Sequence, residues 1–173
     1  HVVFHAYTPA FPLNQFIECF IYYKDFNPIH TLDRFLPDGN VHVVIDLTGH
    51  PKFIYNNDTL KEMQACRHVW FSGIRNKYIT IPSGRDSEML IIYFKKGKAY
   101  PFVDMPLNEL TDTVVDGDLV FSSEIMNLRE QVLSVPDVSE KFMCVEKYLL
   151  KHFARKLVHE PAVDFAVSKI LQS

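Results

Sequence analysis

The sequence predicts an α+β domain, with short β-strands forming a small barrel or sandwich and an α-helical segment after them. Three observations carry this prediction. Up to about residue 95 the apolar residues alternate with period two. Beyond residue 117 they recur at steps of three and four. Clusters of turn-forming residues divide the first part at the spacing of short strands. A length of 173 residues suits one domain with a short appendage. Hydrophobic residues at 47% and charged residues at 23% exclude a disordered tail. No apolar run approaches the roughly 18 residues that a membrane-spanning helix needs, so no membrane partner is expected. A net charge of -3 argues against a surface that itself grips nucleic acid.

Short strands are expected at Phe16 to Tyr23, Arg34 to Leu36, Cys66 to Ser72, Tyr78 to Ile81 and Glu88 to Phe94. In Val41 to Leu47 every odd position is apolar, while His42 and Asp46 fall on the other face, which describes a half-buried strand. Met89 to Phe94 is apolar on both faces, as a central strand covered from both sides must be. The intervening turns are Pro37-Asp38-Gly39-Asn40, Gly49-His50-Pro51, Asn56-Asn57-Asp58 and Pro82-Ser83-Gly84. Further on, Ser123 is a candidate cap for a helix with the stripe Ile125, Leu128, Val132 and Leu133. Asp137 and Glu140 resemble a capping box opening a long amphipathic helix to about Val158. Its inner stripe is Val138, Phe142, Val145, Leu149 and Phe153. Glu160-Pro161 then opens a third helix.

The side chains that could carry chemistry do not converge. Two histidines on one strand face must be two residues apart to aim at one metal ion. Here His42 is followed two residues later by Val44, and His68 by Trp70, so no metal site is expected. A nucleophile elbow and phosphate-cradling glycine loops are also missing from the sequence. Lys95, Lys96 and Lys98 read as a solvated strand end, and Lys147, Lys151, Arg155 and Lys156 as the polar side of the long helix. Cys19, Cys66 and Cys144 are odd in number and far apart. They read as reduced residues of a cytoplasmic protein.

Two features point to binding. The barrel interior is either packed core or a small apolar cavity, and Trp70, Tyr78 and Tyr93 combine apolar area with a polar handle suited to a cavity wall. Alternation puts His68 on the face of Trp70, with Cys66 and Ser72. Any effector is expected to be small and partly apolar. On the helix from Asp137 to Val158, Met143, Tyr148 and His152 border the inner stripe and are the expected dimer contacts.

Four stretches, in order, carry a family resemblance. Phe35-Leu36-Pro37-Asp38-Gly39-Asn40, running into the strand Val41 to Leu47, resembles the LPDG-then-strand signature of the sensor domain of AraC-type transcriptional regulators. Val69-Trp70-Phe71-Ser72-Gly73-Ile74 is similar to that family's strand end. Tyr93-Phe94-Lys95-Lys96-Gly97-Lys98-Ala99-Tyr100 resembles its aromatic turn, with Lys96 where proline is usual. Pro106 to Asp112, followed by Val114-Val115-Asp116, is similar to the segment leading into its helices. The resemblance runs from about Phe16 to Ile170. It implies a cupin-like β-barrel sensor at 1–117, a helical dimerisation segment at 118–160, and the start of a helix-turn-helix region at 161–173. It implies a non-catalytic role, no cofactor, a small-molecule effector, a homodimer, and DNA contact only through a part beyond Ser173. The rival expectation is a small cupin-fold enzyme of the isomerase or dioxygenase class.

Overall fold

Ten strands and three α-helices make up the computed structural model, which describes residues 2–25, 32–35, 40–82 and 86–159. The strands are β1 Val2–Tyr7, β2 Ile17–Asp25, β3 Leu32–Phe35, β4 His42–Asp46 and β5 Lys52–Tyr55. They continue as β6 Glu62–Cys66, β7 Val69–Ser72, β8 Ile79–Pro82, β9 Ser87–Phe94 and β10 Val114–Asp116. The helices are α1 Gly117–Phe121, α2 Glu124–Ser134 and α3 Val138–His159. The turn Pro37-Asp38-Gly39, Ser83-Gly84 and the helix expected after Glu160 lie outside the described residues.

The strands form two antiparallel sheets. A six-stranded sheet has the order β1-β2-β9-β4-β7-β10, and a four-stranded sheet the order β3-β8-β5-β6. Among the described residues no strand ladder joins the two sheets, so a closed barrel is not formed. Strand β9 lies between β2 and β4, the central position that its apolar faces require.

One face of the six-stranded sheet carries Phe20, Val43, Ile45, Phe71, Leu90, Ile92 and Phe94, all buried against the helices. Helix α3 lays its stripe on this layer. Phe142 stacks on Tyr7 with ring centres 5.6 Å apart, and Phe153 packs on Phe16 at 5.2 Å and Phe102 at 5.6 Å. Phe142, Val145, Leu149 and Phe153 are each at most 5% exposed, as the helical spacing predicts. Each buried side chain of this size contributes about 2–3 kcal/mol against full exposure.

The structure corrects three expectations. The stretch Cys66 to Ser72 is not one strand: His68 takes a left-handed φ of 61°, and the chain turns there from the four-stranded to the six-stranded sheet. Ser123 makes no side-chain cap on α2 and is itself helical in φ and ψ. Leu133 is 40% exposed, and the fourth buried position of α2 is Arg129.

Arg129 binds α2 to the end of β4. Its Nε donates to the Asp46 carbonyl at 2.8 Å and its Nη2 to the Thr48 carbonyl at 3.0 Å. Its ion pair with Glu130, which is largely solvated, adds little by comparison. Lys141 of α3 likewise donates to the Val132 and Val135 carbonyls, both at 2.7 Å, closing the C-terminus of α2. Replacing Arg129 by Leu removes the donors to both carbonyls and is expected to cost about 3 kcal/mol. Urea unfolding should show a lower midpoint at unchanged slope.

Candidate ligand-binding cavity

The face of the six-stranded sheet opposite the helices looks onto the four-stranded sheet, and between them lies a cavity of about 150 Å³. Period-two alternation selects its walls. His42 and Val44 come from β4, Met89, Ile91 and Tyr93 from β9, Trp70 and Ser72 from β7, and Ile79 and Ile81 from β8. The register aligns them in two rows. Ser72, His42 and Tyr93 are directly paired across β7, β4 and β9, and so are Trp70, Val44 and Ile91. His42 and Tyr93 stack with ring centres 5.3 Å apart. Lys52, Phe53 and Ile54 of β5 and Cys66 of β6 line the opposite side, Val114 of β10 lies beside Ser72, and Arg75 enters from the β7–β8 loop.

Of the residues expected to contact an effector, Trp70 and Tyr93 line this cavity. Trp70, the sole tryptophan, is 8% exposed. His68 and Tyr78 are not on its wall. His68 sits at the turn between the sheets and is exposed, because the left-handed residue breaks the alternation that placed it beside Trp70. Tyr78 precedes β8, and its carbonyl accepts a hydrogen bond from Asn57 Nδ2 at 3.0 Å. Sequence reasoning missed Arg75 and Lys52. Alternation in β4 and β9 could have named His42, Val44, Met89 and Ile91, but a loop arginine gives no periodic signal.

The polar groups of the cavity are few. Lys52 Nζ lies 3.8 Å from Asp46 Oδ2, an acid that is fully buried and whose Oδ1 accepts from the Thr48 amide and hydroxyl. Arg75 Nη2 reaches Ser72 Oγ at 3.4 Å, and Arg75 Nε is buried with no hydrogen-bond partner. Burial draws the Arg75 pKa down against the opposing charge of Asp112, yet a guanidinium starts high enough to stay charged. Burial, reinforced by Asp116 and opposed by Arg75, pushes the Cys66 thiol up to about 11. Cys66 is therefore a neutral thiol at physiological pH and a poor nucleophile. All three cysteines are free. Among the described residues no group of three His, Cys, Asp or Glu side chains is placed to hold a metal ion. Also among them, no helix is long and apolar enough to cross a membrane.

The loop bearing Arg75 is fixed from below by the segment before β10. Gly73 N–H donates to the Thr113 carbonyl at 3.0 Å, and a Cβ at Gly73 would stand 1.8 Å from the Leu110 carbonyl oxygen. Asp112 donates its backbone N–H to Ile74 and accepts from the Asn76 and Lys77 amides at 2.7 and 3.3 Å. Two of the four stretches singled out in the sequence, around Gly73 and around Leu110, are thus neighbours in the fold.

With this geometry in view, residues 5–116 match a family described as a domain of unknown function, DUF6597. The match covers close to two-thirds of the chain. The chain belongs to this family. The DUF6597 match ends at the last residue of β10, so it takes in both sheets but for the first three residues of β1, takes in the cavity, and leaves out α1, α2 and α3. No curated protein matches the chain.

The three expected dimer residues differ in setting. Met143 is 52% exposed and borders an open groove beside His5 and Tyr7. Tyr148 packs partly buried against the core, and His152 is half-buried between Tyr148 and Phe121. Met143 is the one that presents most surface.

Two variants test the support of the DUF6597 loop. Gly73→Ala is expected to destabilise the protein by about 3 kcal/mol through overpacking against rigid backbone, read by urea unfolding. The Asp112 pKa is lowered, chiefly by the Asn76 backbone N–H. Its stabilisation is thus complete above the ordinary value of 3.8 and is lost as pH falls through the lower folded value. Asp112→Asn should melt earlier than the parent at neutral pH and converge with it in strongly acid solution.

Proposed function

We propose that the chain is the effector-sensing and dimerisation part of an AraC-type DNA-binding regulator, built as an open cupin-like barrel and without catalytic activity. The observation that carries the reading is the apolar cavity between the sheets, walled by Trp70 and by alternate residues of four strands. Packed interiors seldom leave such space empty, and a dry apolar void of this size binds a benzene-sized guest. The four motif stretches support the regulator class, and two of them meet at the base of the loop that carries Arg75. A ligand would act by binding one domain arrangement more tightly than another.

Toluene serves as the first probe. Saturation to about 100 times Kd stabilises a folded protein by about 2.7 kcal/mol, a rise of about 5 °C or more in Tm at this size. The same titration should change Trp70 fluorescence, and Val44→Phe, which fills the cavity, should abolish both responses. A parent protein that responds in neither readout overturns the sensor reading. For assembly, sedimentation at micromolar concentration should show a dimer that Met143→Glu dissociates, and a purely monomeric boundary overturns that part. The reading frame beyond Ser173 should encode paired helix-turn-helix modules, and a stop codon there overturns the regulator class.

A further inference from the structure

The cavity wall contains two cations in unlike situations. Lys52 has the buried Asp46 carboxylate 3.8 Å away. Arg75 has no carboxylate within ion-pairing distance among the described residues. Among the described residues its one hydrogen bond is a long one to Ser72, and its Nε is buried without a partner. Asp112, the acid whose charge acts on it, already spends its oxygens on the Asn76 and Lys77 amides. A partly desolvated guanidinium that lacks an anion is costly in the empty protein. The Asp112 and Gly73 contacts fix the backbone of the loop that carries it at the cavity edge.

We infer that the cavity takes a small organic monocarboxylate, its apolar body among Trp70, Val44 and Ile91 and its carboxylate on Arg75. The inference rests on the reading of the cavity as an effector site and names the effector's chemistry. A planar guanidinium matches a carboxylate with two parallel hydrogen bonds, and such charge-assisted bonds are the stronger kind. The remaining wall is mainly aliphatic and aromatic, which disfavours a sugar because its hydroxyls would find few partners. One unpaired cation also suits a single negative charge better than a phosphate dianion. A cavity near 150 Å³ accommodates a ring of benzene size, so benzoate is a fitting probe, and 3-methylbutanoate represents the branched aliphatic alternative.

The test compares benzoate with benzamide, which has the same shape and no charge. Trp70 fluorescence and calorimetry are read on the parent, Arg75→Gln and Arg75→Lys. The parent should bind benzoate about tenfold tighter than benzamide, Arg75→Gln should bring the two within about twofold, and Arg75→Lys should keep part of the preference. Toluene binding to each variant reports whether its cavity has survived, and the comparison within the parent needs no variant to fold. Equal or tighter binding of benzamide to the parent overturns the inference, as does a benzoate preference that persists in a toluene-competent Arg75→Gln. If toluene binds and neither benzoate nor 3-methylbutanoate does, the carboxylate inference fails while the cavity reading stands. Silence with all of these probes overturns both.

Discussion

The six-stranded sheet has two apolar faces, and everything else in the molecule follows from the need to cover both. Successive side chains on a strand point to opposite sides, so β4, β7 and β9 each supply two surfaces. The side bearing Val43, Ile45, Phe71, Leu90, Ile92 and Phe94 is buried beneath the helical layer. The other side bears Val44, Trp70, Met89 and Ile91 and meets the smaller four-stranded sheet, where the fit is incomplete and the cavity remains. The same alternation that makes a core on one side lines a cavity on the other.

Charge is placed in this structure with a clear division. Arg129 and Lys141 are both at most 8% exposed, yet both spend their donors on backbone carbonyls and serve the joints between β4, α2 and α3. Lys52 is matched with Asp46. Arg75 breaks the pattern. Native proteins usually satisfy buried polar groups, and the exceptions concentrate where something else is to be bound. That contrast among four cations, more than the presence of any one of them, is what supports the proposed reading of the cavity as a site.

The period-two runs were legible in the sequence because they carry both faces of the central strands. Met89 to Phe94 could be placed as a central strand, and the stripe of α3 from Phe142 to Phe153 could be read residue by residue, whereas Val41 to Leu47 read as half-buried and is covered on both faces, with Asp46 fully buried. Strands β1, β5 and β6 could not. Their side chains are half-buried or exposed along much of their length, as in Glu62–Ala65, so the hydrophobic contrast that marks a strand is weak there. Trp70 and Tyr93 were legible as cavity residues through their chemistry and their strands. His68 was misplaced because one left-handed residue ends the alternation between β6 and β7. Arg75 was invisible because its position depends on Gly73 meeting Thr113 and Asn76 meeting Asp112 across 36 or more residues of chain, a tertiary fact with no local signature.

Strand β7 is where the two faces are mechanically joined. Trp70 and Ser72 look into the cavity, while the intervening Phe71 packs on Phe121 of α1 with ring centres 6.2 Å apart. Phe121 in turn meets His152 of α3 edge-on at 6.1 Å. Gly117, at the start of α1, lies so close to Val69 that a Cβ there would stand 2.6 Å from its Cγ1. A strand packed this tightly cannot tilt toward a ligand on one face without moving what rests on the other. A line of contacts therefore runs from β7 through α1 to α3, the helix that carries Met143 and the other residues expected at a dimer surface. Adjacency of this kind supplies a route, and a ligand turns it into regulation only through different affinities for two arrangements of that route.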